Sequence, residues 1–295
     1  MRSLFLIISI SLLLGCGGSK KVIQEASDST LPTSIETIEE RNKAPKVIVP
    51  VEEKTPDTTI EKIEPKVEKV SISNKNEKTN IEIFDHQLWN SLLQKHVSDK
   101  GIVNYKGFKK DRQELKAYLD KLSKNIPKKD WTKSDKLAYW INLYNAFTIQ
   151  LIINNYPLKS IKDIKAPWDF RFIKLETKWY TLNDIEHRIL RKMGDPRIHF
   201  GINCASFSCP LLLNKAFTSQ NVDSELEKLT VNFINDPIRN VITENSVQLS
   251  KIFTWFAKDF RTDGSLINFL NKYSKVTIKD NAKRSFKKYN WDLNE

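Results

Sequence analysis

Between Phe5 and Phe84 the sequence has no aromatic residue. Residues 17–80 carry five of the eleven prolines and polar mixtures such as Val51-Glu52-Glu53-Lys54-Thr55-Pro56. Such a segment cannot bury enough apolar surface to offset chain entropy, which excludes a packed domain there and predicts a disordered linker. It also lacks an excess of one charge, with eleven Lys/Arg against twelve Asp/Glu, so self-repulsion should not stretch it. As a coil it spans roughly 40–50 Å. After Leu14 no apolar run is long enough to predict a lasting transmembrane helix. Cysteine is scarce, with three in 295 residues.

The N-terminus has Arg2, an apolar run from Leu4 to Leu14, then Gly15-Cys16. The run is short for a spanning helix and reads as a signal. A small residue before a cysteine resembles the bacterial lipobox, at which a peptidase cleaves ahead of a lipid-modified thiol; an ordinary signal peptide with an incidental cysteine is the alternative. The expected organisation is a signal peptide at 1–15, a lipidated linker at 16–80 and one globular domain at 81–295. Acyl chains such as palmitate on Cys16 would hold the mature protein to a cell membrane or outer membrane, facing the periplasm or the exterior.

All seven tryptophans and the whole net charge of +12 fall on residues 81–295. In the cytoplasm that charge would suggest nucleic acid. The lysines are spread along the chain, so a solvated surface is the reading and no nucleic-acid binding is expected. The expected partners are the membrane, through acylated Cys16, and an envelope peptide, polymer or protein; no cofactor is expected.

Helical spacing predicts helices over 84–97, with Asp85 as a first-turn acid, and over 110–123. Between them, residues 97–105 turn at Gly101 into a short extended piece. The most apolar stretch, Leu137 to Tyr156, is apolar nearly all round and predicts a central buried helix closed by Pro157. Residues 170–175 predict a hairpin turning near Glu176-Thr177-Lys178. Thr181 with Asp184 predicts the start of a helix carrying Glu186 and His187, and Gly194-Asp195-Pro196 its end. Alternation over 197–203 predicts a strand, followed by a polar loop from Cys204 to Cys209 and a helix opened by Pro210. Further on, a helix at 221–234, a strand pair between Val241 and Phe253, a helix at 265–273 and a last strand at 276–278 are expected. The fold class is therefore α+β: a mainly helical single domain with a small, mostly antiparallel sheet, after a disordered stalk.

With Cys16 assigned to lipid, Cys204 and Cys209 remain as a pair. Three readings stand open. A disulfide would close a short loop and contribute roughly 2 kcal/mol. A nucleophile would draw on a helix start after Pro210 to activate Cys209, or on the strand end presenting Cys204, with His187 or His199 as base. A zinc site would join both cysteines to His187 and His199, at loose spacing. Strand alternation, however, points His199 away from Ile198, Phe200 and Ile202, so it need not face Cys204. His187 could be oriented by Asp184, Asn142 or Asn145. Asn142 and Asn145 share one face of the buried helix and either satisfy backbone or act as orienting groups and oxyanion donors.

Trp140-Ile141-Asn142-Leu143-Tyr144-Asn145-Ala146, Ile185-Glu186-His187-Arg188-Ile189-Leu190-Arg191, Arg197-Ile198-His199-Phe200 and Cys204-Ala205-Ser206-Phe207-Ser208-Cys209-Pro210 resemble the family catalogued as domain of unknown function 547. The likeness runs from Trp89 to the terminal Tyr289-Asn290-Trp291-Asp292-Leu293-Asn294, and departs at Asn290, where the family usually has aspartate. It implies a site at the same His, Cys and Asn positions without implying an activity. Two functions follow: a cysteine-dependent hydrolase or acyl/amide-transfer enzyme on envelope substrates, or a non-catalytic envelope binding module with a structural Cys204–Cys209 disulfide. Cys16→Ser is expected to abolish the acyl mass on the mature N-terminus, read by mass spectrometry of the membrane fraction; a wild-type chain without that mass would overturn the anchor.

Overall fold

Burial on every side of one helix organises the chain. The computed structural model describes residues 84–295 apart from Asp263, and these belong to one compact unit. The expected signal at 1–15, Cys16 with its expected acyl chains, the expected linker at 16–80 and residues 81–83 lie outside the described residues. Helix α4, Lys133–Asn155, starts at Thr132, whose hydroxyl accepts from Asp135 N while the Asp135 carboxylate accepts from Thr132 N. From Leu137 to Ile153 every residue except Gln150 is buried. Against it pack α2 (Tyr105–Lys110) and α3 (Arg112–Lys124), and α1 (Gln87–His96) packs on those two. Helix α1 begins after Asp85, whose carboxylate accepts from Gln87 N ahead of the helix rather than within its first turn. α2, which periodicity did not reveal, is started by Asn104, accepting from Gly107 N.

Helices dominate and the sheets are small, so the fold is α+β as expected. Strands β1 (Ile173–Leu175) and β2 (Lys178–Tyr180) form the antiparallel hairpin, with Lys174 opposite Trp179. β3 (Val241–Ile242) pairs antiparallel with β4 (Ser246–Leu249), and β5 (Lys283–Phe286) adds in parallel with Val247 opposite Arg284. The last strand thus lies beyond 276–278. There the Asn271 side chain takes both backbone groups of Ile278, which removes that residue from any ladder.

Two expectations around the cysteine loop are corrected. Residues 197–203 are not a strand: α5, Ile198–Gly201, is one helical turn with all four residues buried. Asp195 accepts from Arg197 N, and the Arg197 guanidinium folds back onto Asp195 and across to Asp223 and Glu227, which lie in α6 (Val222–Ile234). The turn is therefore fixed by tertiary ion pairs, and a mixed sequence buried on all faces imitates alternation. Gly201 is where α5 meets α6, since a Cβ there would come within 2.7 Å of Leu226 Cδ2.

Nor does Pro210 open a helix: residues 210–221 are irregular and α6 starts at Val222. Two asparagines anchor that segment by its backbone. Asn90 accepts from Ala216 N, and Asn142 both accepts from Phe217 N and donates to Phe217 O. Beyond α6 come α7 (Ile252–Trp255) and α8 (Leu266–Asn271), the latter capped by Ser265.

Asn145 makes the matching clamp, donating to Gly201 O at 3.0 Å and accepting from Asn203 N at 2.8 Å. Asn145→Ala would leave two buried backbone groups unpaired and is expected to cost about 2–4 kcal/mol in urea unfolding, and to loosen the cysteine loop more than an alanine at exposed Asn154.

Candidate functional site

The loop after α5 is held from both sides. Asn203, buried, accepts from Ala205 N and donates to Pro210 O, closing the loop on itself. The C-terminal tail runs alongside: Phe207 N donates to Asp292 O, Asn294 N to Ala205 O and Ser208 N to Asn290 O. Asn290 accepts from Asp292 N in this tail and shapes its turn. Between these clamps Ala205 adopts φ +61°, a left-handed conformation costly for a residue with a Cβ. Over-determination of this kind fixes where the neighbouring Cys204 sulfur sits.

Cys204 and Cys209 are free thiols side by side, with Cys204 N donating to Cys209 Sγ at 2.9 Å. Ser206 Oγ stands 3.1 Å and Tyr289 OH 3.4 Å from Cys204 Sγ. The Cys209 thiol, then the Ser206 and Tyr289 hydroxyls, hold Cys204 below the ordinary thiol range against the opposing effect of burial. Burial and the Cys204 charge push Cys209 well above it. Of the two sulfurs, Cys204 is therefore the one that ionises. No helix N-terminus contributes at Cys209, and the activation assigned to one is replaced by hydroxyl and thiol donors.

Beside the thiols opens a cavity of about 360 Å³, walled by Trp168, Trp255, Phe256 and Trp291 and carrying Tyr144, Glu186, His187, His199, Cys204 and Cys209 on its lining. His199 faces the same cavity as Cys204, because α5 is a helical turn and not a strand. Its ring stacks on Phe256 at 3.9 Å, its Nε2 donates to Asp259 Oδ2 at 2.8 Å, and its buried Nδ1 has no hydrogen-bond partner. Burial lowers its pKa, against the pull of Asp259.

Asp259 is in turn gripped by Arg191 through two bonds, Nε to Oδ2 at 2.6 Å and Nη2 to Oδ1 at 2.7 Å. Burial alone would raise Asp259, yet Arg191 and His199 hold it far below the usual carboxylate range. Arg191 Nη1 also donates to His187 Nδ1 at 2.9 Å, which makes that nitrogen the acceptor. Burial, then Arg191, lowers the His187 pKa. Arg191, not Asp184 or an asparagine, orients His187; Asp184 caps its own helix through Thr181 and pairs with Arg188.

Glu186 completes the wall. Residues Asp184–Ile189 form a π-helical turn, followed by a 3₁₀ turn, Leu190–Met193, that ends at Gly194 with φ +71°. π turns are rare and recur at functional sites. Burial first, then Cys204, pushes the Glu186 carboxyl up to about 7.

The structure thus gathers Cys204, Cys209, His187 and His199 at one cavity, and leaves Asn142 and Asn145 outside it, each spent on backbone. Among the described residues no group of three or more His, Cys, Asp or Glu is arranged to hold a metal ion. Sequence reasoning missed Glu186, Arg191, Asp259, Ser206 and Tyr289. The family-like motifs contained Glu186, Arg191, Ser206 and Tyr289 without giving them a role; Asp259 lies within an aromatic cluster, and its partners are 60 and 68 residues away.

Residues 128–234 match the family model described as "Protein of unknown function, DUF547". This segment belongs to the DUF547 family. The DUF547 segment runs from the entry to α4 through α6 and contains Glu186, His187, Arg191, His199, Cys204 and Cys209, while Asp259 and Tyr289 come from beyond it. No curated protein and no solved structure matched the chain.

Asp259 ties the site to stability. Its folded carboxyl is depressed, so its contribution is complete above the unfolded value of about 4 and is lost as pH falls through the folded value. Asp259→Asn is expected to cost about 2 kcal/mol in denaturant unfolding at pH 7, with the gap to wild type narrowing as the pH is lowered below 4. A gap that stayed constant to pH 2 would contradict the assignment.

Proposed function

We propose that this chain is a cell-envelope lipoprotein whose described domain is a cysteine-dependent hydrolase or acyl/amide-transfer enzyme. Its substrates are carbonyl compounds of the envelope: peptides, amides or esters. Cys204 is the nucleophile, His199 the general base and Asp259 the group that orients it. The observation that carries this reading is the state of His199. With Nε2–H committed to Asp259, the unprotonated nitrogen is Nδ1, buried without a partner in a residue that lines the same cavity as Cys204. Burial keeps the ring neutral and able to take a proton.

In this scheme the thiol proton passes to His199, the thiolate adds to the carbonyl, and water or an amine resolves the acyl-enzyme. The Tyr289 phenol, close to Cys204 Sγ, supports the thiolate. Its aromatic neighbours Trp255 and Trp291 give the acyl side an apolar wall. The signal-like N-terminus and Cys16 support a site outside the cytoplasm, and the +12 charge suits anionic headgroups or envelope polymers as surroundings.

Iodoacetamide at neutral pH is expected to alkylate Cys204 in preference to Cys209, and His199→Ala to slow that labelling about tenfold with the circular dichroism spectrum unchanged. Intact-mass measurement of a Cys204–Cys209 disulfide that resists mild reductant would sink the enzyme reading. It would favour a disulfide-closed envelope module that binds through its aromatic surface, a reading to which the adjacency of the two sulfurs lends support.

A further inference from the structure

We infer that Glu186 is a further catalytic residue of this cavity, the acid that gives a proton to the leaving group, and that the substrates are accordingly amides or alkyl esters rather than thioesters. The inference rests on the thiol-enzyme reading above. It deepens that reading by naming what leaves.

The first ground is geometric. Glu186 is buried yet lines the cavity, on the π turn. Its Oε2 accepts from Tyr144 OH at 3.3 Å, while Oε1 lies 3.9 Å from His199 Nδ1, too far for a hydrogen bond. A structural buried carboxylate is ordinarily paired with a cation and several donors. Glu186 has one long hydrogen bond and no ion pair with a Lys or Arg among the described residues, since the nearby Arg191 is engaged by Asp259 and His187.

The second ground is its electrostatic setting. The groups facing it are Tyr144 from α4, Cys204 from the loop, His199 from α5, Arg191 from the 3₁₀ turn and Asp259 from the segment after α7. Burial and Cys204 favour the neutral acid, and Tyr144 and Arg191 oppose them. Near neutral pH the carboxyl is therefore able both to give and to take a proton.

The steps balance. In acylation the Cys204 S–H proton moves to His199 Nδ1, sulfur bonds to the carbonyl carbon, and the C–N or C–O bond breaks as the Glu186 proton passes to the departing amine or alcohol. This leaves an acyl-enzyme with imidazolium and carboxylate next to each other. In deacylation Glu186 takes a proton from water, the hydroxyl adds to the carbonyl carbon, and the C–S bond breaks as sulfur recovers its proton from His199. A thiolate leaving group, from a thiol of pKa about 8.5, departs without such help. An amine or alkoxide does not, so a thioesterase would have no use for this acid.

Two small alkylating probes of Cys204 read the acid directly. Iodoacetamide releases iodide, which needs no proton; glycidamide opens an epoxide to an alkoxide, which does. In the full chain at pH 6, Glu186→Gln is expected to lower the glycidamide-to-iodoacetamide rate ratio about tenfold. The wild-type ratio is expected to fall above pH 7 and that of the variant to stay flat. An unchanged ratio in a folded variant would overturn the inference and leave the thiol enzyme standing, whereas a Cys204 inert to iodoacetamide would overturn both. Should Glu186→Gln fail to fold, Tyr144→Phe serves: loss of its hydroxyl is expected to carry the high glycidamide ratio to higher pH, and an unshifted profile would overturn the role of Glu186.

Discussion

A buried amide must be paired, and in this protein that requirement on α4 decides where everything else lies. Asn142 and Asn145 sit on a helix buried on all sides, so water cannot satisfy them. Asn142 takes both backbone groups of Phe217, and Asn145 takes Gly201 O and Asn203 N. The segment between those two anchors is the cysteine loop and its return. Asn203, pinned in this way, turns its own side chain to Ala205 and Pro210 and gives the loop its shape. The residues read from sequence as possible oxyanion donors thus act two steps removed from the chemistry, by holding the backbone that presents the thiol.

Charge is organised around a second fixed point. Asp259 joins Arg191, which reaches His187, to His199, which faces Glu186; a single carboxylate therefore sets the tautomer of one histidine and, through the guanidinium, the orientation of the other. The aromatic walls keep water scarce around these groups and raise the energetic consequence of each pairing. Two carboxyl groups in one small site reach opposite states for this reason: Asp259 has a guanidinium and is held ionised, whereas burial and the Cys204 charge push Glu186 toward the acid against the pull of the Tyr144 phenol.

Local pattern carried much of the fold. The apolar run at 137–156, the Thr181/Asp184 cap, the Gly194 stop, the hairpin turn at Glu176-Thr177 and the Ser265 start all correspond to observed features, because each rests on neighbours within a few residues. Reading failed where a distant side chain overrode the pattern. Arg197, drawn to α6, made a helical turn of a strand-like sequence, and Asn142 pinned the segment after Pro210 through the Phe217 backbone. The consequence reached the site, since the strand reading had turned His199 away from Cys204.

Sequence alone determined the chemical vocabulary: two cysteines and two histidines within twenty-three residues, a buried helix carrying two amides, and a basic aromatic-rich part following a stretch without a single aromatic ring. Only the tertiary structure decided which histidine has a carboxylate behind it, which thiol ionises, and that Glu186 belongs with them. The physical reason is range. Helix caps and turns are fixed by contacts between near neighbours in the chain, but the burial and charge that set a proton's affinity come from Tyr144, Asp259 and Tyr289, residues the chain separates by dozens of positions and the fold places around one cavity.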